Sequence, residues 1–96
     1  MTLKEEIFGV ASFRSRQQVL QMEAALRREG VPVSVVTTPR EVALGCGLSV
    51  RFELADATDV RDVYLRTRPG NLIGFYRVER GADGRAAIAA LGAMSR

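Results

Sequence analysis

The chain has 96 residues, of which 47% are hydrophobic and 26% are charged, and its formal net charge is +3. This length and composition are typical of one soluble globular domain with a single core. The chain contains one cysteine and no histidine. It therefore has no internal disulfide, no multi-cysteine metal site within one chain, and no Ser-His-Asp or Cys-His catalytic arrangement. We expect no metal, no cofactor and no self-contained hydrolytic centre.

The basic charge does not indicate a nucleic-acid binder. All but one of the cations are arginines, and they are spread from Arg14 to Arg96 rather than clustered with stacking aromatic residues. The apolar runs are too short to span a bilayer, and residues 1–6 lack the hydrophobic segment of a secretory signal. We expect a cytoplasmic protein with no membrane or nucleic-acid partner.

Residues 5–13 are predicted to form a first strand, because they are mostly apolar and end before turn residues. Ser15 and Gln18 have the spacing of a capping box, in which Gln18 would bond to the Ser15 amide at the start of a helix. That helix carries an apolar stripe, and Gly30 is its predicted C-terminal cap. The stripe consists of Val19, Met22 and Leu26.

Two strands joined by a loop over residues 37–47 are expected to follow. Residues 31–36 are rich in β-branched side chains, and residues 48–54 alternate between apolar and polar ones. The alternation predicts that Ser49, Arg51 and Glu53 lie on a wet face.

Asp56 is a predicted N-cap for a second helix, which Pro69 and Gly70 end. Residues 72–78 are then predicted to form a fourth strand. The alanine-rich residues 85–96 are predicted to form a short, frayed helix.

The predicted order is β-α-β-β-α-β. It indicates an α+β fold of the ferredoxin-like type, an antiparallel sheet with two helices on one face. We assign residues 1–80 to this domain and residues 81–96 to a C-terminal extension. Because many unrelated functions use this fold, the fold alone does not indicate a function.

Cys46 lies between Gly45 and Gly47, just before the alternating strand. Neither glycine has a side chain that could cover the sulfur or keep another molecule away from it. This setting favours an accessible, reactive thiol. The alternative is a buried cysteine that only packs, since free cysteine is among the most buried residue types.

The segments Pro39-Arg40-Glu41-Val42 and Cys46-Gly47-Leu48 resemble the signature of the selenium/sulfur carrier-like family. The resemblance covers residues 7–52. It implies a small carrier that takes sulfur or selenium on Cys46 as a persulfide or selenopersulfide. A cysteine desulfurase-like protein would donate the atom and an acceptor protein would receive it.

The chemistry of such a carrier suggests roles for three further residues. Amides exposed at Gly45 and Gly47 can stabilise a thiolate, and the glycines allow a partner's loop to approach. Arg40 is a candidate counter-charge because a guanidinium keeps its proton. Equally, Arg40 and Glu41 can form a solvated pair at a hairpin.

Other functions stay open at this point. The chain can be a ligand-binding or regulatory module that binds a small anion near Arg40, dimerises through its sheet and has an incidental cysteine. It can also be a redox sensor that oxidises Cys46. The carrier is the leading hypothesis, and a carrier or accessory protein is favoured over a turnover enzyme.

Overall fold

The computed structural model describes residues 6–40, 42 and 46–91, which form five strands and two α-helices. The strands are β1 (Glu6–Phe13), β2 (Val33–Thr37), β3 (Leu48–Phe52), β4 (Leu72–Arg80) and β5 (Ala86–Ala90). The helices are α1 (Arg16–Arg28), between β1 and β2, and α2 (Ala57–Thr67), between β3 and β4. A short 3-10 turn at Leu54–Asp56 leads into α2.

The strands form one sheet in the order β2-β3-β1-β4-β5, and every neighbouring pair is antiparallel. Both helices contribute to the same core cluster, so they cover one face of the sheet. The α+β class is confirmed, and the first four strands are consistent with the ferredoxin-like arrangement. The added edge strand β5 is a departure from it.

The expected helix after residue 85 is wrong for the residues that the structure describes there. Alanine favours helices in isolation, but the turn at Gly81–Gly84 returns the chain antiparallel to β4. In β5, Ile88 pairs with Val78 and packs against a small apolar cluster. Tertiary packing therefore overrides the local propensity.

The ends of α1 show one prediction that holds and one that fails. Gly30 has φ +81°, its N–H donates to the Arg27 carbonyl, and the Val31 N–H donates to the Leu26 carbonyl. These two bonds form a Schellman motif. At the other end the capping-box bond is not formed, because the Ser15 hydroxyl donates to the Gln18 side chain instead.

The face of the sheet beneath the two helices, here called the helix side, is closed and apolar. The strands contribute Ala11, Phe13, Val50, Phe52 and Phe75, and the helices contribute Val19, Met22, Ala25, Leu26, Val60 and Val63. The two helices pack on this apolar layer, and aromatic rings contact each other within it. The Tyr64 ring lies edge-on to Phe75 at 5.5 Å between centroids.

The opposite face, here called the open side, carries a smaller cluster of Phe8, Val10 and Val78. Val36 of β2 and Ile88 of β5 both pack against this cluster, although they belong to opposite edge strands. The sheet is therefore curled around the cluster. Ser49 is fully buried here, so the prediction of a wet face is wrong at that residue.

Candidate functional site

The backbone around Cys46 is held by the ends of two strands. The Cys46 N–H donates to the Phe13 carbonyl at 3.3 Å, where β1 ends. The Thr38 N–H donates to the Gly47 carbonyl at 2.8 Å, just after β2. These bonds fix the dipeptide Cys46-Gly47 between the end of β1 and the residues after β2.

The Cys46 side chain itself is exposed. Its sulfur lies 3.7 Å from the Leu48 carbonyl, which is a weak contact that leaves the thiol open to solvent. Cys46 therefore does not pack in either apolar cluster. A fixed backbone with an exposed sulfur presents the thiol to another molecule at a defined position.

Gly47 has a backbone conformation that other residues rarely adopt, with φ +88°. Beyond its chain neighbours, no heavy atom of the described residues lies within 4 Å of the position that a Cβ on Gly47 would take. The glycine is thus needed for its conformation, and none of the described residues crowds the space beside it. Gly45, the other predicted glycine, lies outside the described residues, as does Glu41.

Three hydroxyl groups lie near this segment, two of them in β1 and β3 and one just after β2. The Thr38 and Ser49 hydroxyls are 2.7 Å apart and share a hydrogen bond. Ser12 is paired with Ser49 in the register of β1 and β3 and is fully buried, and its hydroxyl has no hydrogen-bond partner among the described residues. Sequence patterns did not reveal this group, because serine on an alternating strand is normally solvated.

Arg40, the predicted counter-charge, is exposed and lines a cavity with residues from the far edge of the sheet. The cavity has a volume of about 330 Å³ and is bordered by Thr37, Thr38, Pro39, Arg80, Gly84 and Arg85. Among the contacts of the described residues, none joins Arg40 to Cys46. The structure thus brings Arg40 together with two arginines that sequence patterns did not single out.

A family model described as "Putative Se/S carrier protein-like" matches residues 8–69, which is 62 of the 96 residues. The chain belongs to this family. The match includes Arg40, Cys46 and Gly47, and it confirms the resemblance on which the carrier hypothesis depends. It extends beyond the predicted residues 7–52, through α2.

The carrier-like match ends before β4, so Arg80 and Arg85 lie beyond it. No curated protein and no solved structure matches the chain significantly. Neither of the described helices is long and apolar enough to cross a membrane. The described residues contain no group of three or more Cys, Asp or Glu side chains that could hold a metal ion.

Proposed function

We propose that this protein is a carrier that accepts sulfur or selenium on Cys46 and passes it to an acceptor. The observation that supports this most is the exposed thiol on an anchored backbone, within the residues that match the carrier-like family. A carrier needs a nucleophile that another protein can reach. It does not need the general base that a hydrolytic enzyme requires.

The loading step is an exchange between sulfur atoms. The Cys46 thiolate attacks the outer sulfur of a persulfide on the donor protein, and a new S–S bond forms as the donor's S–S bond breaks. The bonding electrons leave with the donor's thiolate, so the products are Cys46 persulfide and a free donor thiol. The transferred sulfur keeps its oxidation state, and no outside oxidant or reductant is consumed. Selenium follows the same route as a selenopersulfide.

Delivery reverses the direction of the exchange. A thiolate of the acceptor attacks the outer atom on Cys46, and the Cys46 thiolate leaves. A second cysteine in the same chain would attack the inner sulfur and release the cargo as sulfide, leaving a disulfide. Because Cys46 is the only cysteine of the chain, this internal loss cannot occur.

The residues around Cys46 would assist the transfer. None of the described residues crowds Gly47, which would allow the active-site loop of a donor or acceptor to approach. We assign Gly45 and Gly47 amides to thiolate stabilisation and Arg40 to attraction of the anionic cargo or partner. The donor would be a cysteine desulfurase-like protein, and the exchange would take place in the cytoplasm.

Intact-mass spectrometry tests this function directly. The protein is incubated with a cysteine desulfurase and cysteine, beside the variant Cys46→Ala. The wild type should gain the mass of one sulfur atom, which a thiol reductant then removes. For selenium, selenocysteine replaces cysteine and the gain is one selenium atom.

Two controls make the result specific. The mass must be accurate enough to separate one sulfur from two oxygens, and reducibility separates a persulfide from a sulfinic acid, which thiols do not reduce. Alkylation of the folded protein reports whether the thiol is free. The function is refuted if the wild type gains nothing while Cys46 is free and alkylatable, or if Cys46→Ala gains sulfur equally. Peroxide sensitivity without sulfur uptake would identify a redox sensor instead.

A further inference from the structure

The arginine-lined cavity joins two segments that are far apart in the sequence. Arg40 follows β2, at one edge of the sheet, whereas Arg80 and Arg85 flank the turn between β4 and β5 at the other edge. Three strands separate β2 from β5 in the sheet order. The two segments border one cavity because the sheet curls around its open side.

Among the described residues at this cavity, arginines outnumber the carboxylates that pair with them. Arg85 pairs with the Asp83 carboxylate at 3.9 Å, and its side chain is 90% exposed. Arg80 donates to the Gly84 carbonyl at 3.3 Å, which is a neutral acceptor. Among the described residues, no carboxylate forms an ion pair with Arg40 or Arg80.

One other carboxylate, that of Glu6, lies close to Arg80 in the strand pairing but forms its ion pair with a different arginine. Glu6 lies opposite Arg80 in the pairing of β1 with β4, and its side chain pairs with Arg51 at 3.7 Å. Arg51 in turn lies over the Phe8 ring, 3.9 Å from its centroid. No ion pair joins Glu6 to Arg80 among the described residues.

We propose that the cavity formed by Arg40, Arg80 and Arg85 binds a phosphate group. Guanidinium groups present several N–H donors in a plane that matches phosphate oxygens, and they keep their charge at any physiological pH. Thr37 and Thr38 on the β2 side also border the cavity. The volume of about 330 Å³ is at the lower end of the range for small-molecule sites, which suits a phosphate ion or a small phosphate ester.

This site does not rest on the proposed function of Cys46. Cys46 does not border the cavity among the described residues, and Arg80 and Arg85 lie outside the residues that match the family. A bound phosphate would link the end of β2 to the turn between β4 and β5. Binding should therefore stabilise the curled form of the sheet.

Titration calorimetry of the full chain with inorganic phosphate tests the site, with chloride keeping the ionic strength constant. One phosphate should bind per chain. Arg40→Gln and Arg85→Gln should each weaken binding by about tenfold or more, because each removes charged hydrogen-bond donors. Glycerol phosphate, titrated in parallel, identifies the form of the ligand: tighter binding than inorganic phosphate indicates an ester, and equal binding indicates the free ion.

Two further variants are the matched controls. Arg28→Gln removes an exposed arginine at the end of α1, on the helix side, and should leave phosphate binding unchanged. Cys46→Ser should also bind phosphate normally, which separates this site from the carrier function. The proposal is overturned if phosphate does not saturate the protein, if Arg40→Gln and Arg85→Gln bind as the wild type does, or if Arg28→Gln weakens binding equally.

Discussion

The two faces of the sheet differ in the polarity of the residues that they bury. The helix side buries only apolar side chains, which contact one another from two helices and three strands. The open side has a smaller apolar cluster, two buried serines, and near it an exposed thiol and a cavity with three arginines. The larger apolar cluster thus lies on the helix side, whereas the buried serines lie on the open side.

Replacing the candidate functional residues, Cys46 and the arginines of the cavity, should therefore cost little stability. Apolar burial contributes most of the folding free energy, and it is concentrated beneath the helices. The Cys46 segment is held by two backbone hydrogen bonds, which a side-chain substitution leaves in place. Substitutions on the two sides should therefore differ in both size and kind of effect.

The largest expected effect is in the helix-side core, where Leu26→Ala creates a cavity. Leu26 is fully buried, and the loss of its side chain should reduce the free energy of unfolding by about 2–5 kcal/mol. Leu20 provides the control, since it lies on the same helix and is 48% exposed. Leu20→Ala should change stability by less than about 0.5 kcal/mol. Urea denaturation followed by circular dichroism measures both, and equal losses would contradict the assigned core.

A close contact between β1 and β3 gives the next largest effect. A Cβ on Gly9 would overlap the Phe52 ring, so Gly9→Ala forces the ring out of its place. We expect a loss of about 1–3 kcal/mol from this overpacking. In the double variant with Phe52→Leu, the smaller side chain leaves room for the methyl group. If Gly9→Ala costs as much in that background as in the wild type, the ring contact is not the cause.

Sequence patterns predicted the helix side better than the open side. The apolar stripe of α1 and the alternation of Leu48, Val50 and Phe52 are local signals, and they place both elements on one core. The burial of Ser49 depends on how the sheet curls, which involves contacts between distant strands. No local pattern encodes such contacts.

The same limit explains what was missed at the candidate site. The glycines on either side of Cys46 are a local signal, and that signal is enough to predict an accessible thiol, which the structure shows as exposed. Arg80 and Arg85 flank a turn about 40 residues beyond Arg40 and belong to a segment predicted to be an extension. Only the pairing of β4 with β5 and the curl of the sheet bring them to the same cavity.

Gly47→Ala should combine a modest loss of stability with an effect on the thiol. A residue with a side chain at φ +88° is strained by about 1–2 kcal/mol, although the space around it is open. Gly70 is a matched control, with φ +84° and no atom near its absent Cβ. Both variants should lose similar stability in urea denaturation. Only Gly47→Ala should slow alkylation of Cys46, and equal alkylation rates would show that Gly47 does not control access to the sulfur.

The smallest effects are expected in the buried hydroxyls of the open side, where two serines should respond with opposite sign. Ser49→Ala leaves the Thr38 hydroxyl without its partner and should cost about 1 kcal/mol. Ser12→Ala removes a buried hydroxyl that has no partner in the part of the chain that the structure describes, so the free energy of unfolding should stay the same or rise by up to about 1 kcal/mol.

The double variant Ser49→Ala with Thr38→Val checks the assignment of the shared hydrogen bond. Replacing both partners by apolar groups of similar shape should restore most of the stability lost in Ser49→Ala. If Ser12→Ala destabilises as much as Ser49→Ala, the Ser12 hydroxyl has a partner in solution. The three groups would then form one connected network beneath the Cys46 segment, and the open side would owe part of its stability to polar contacts.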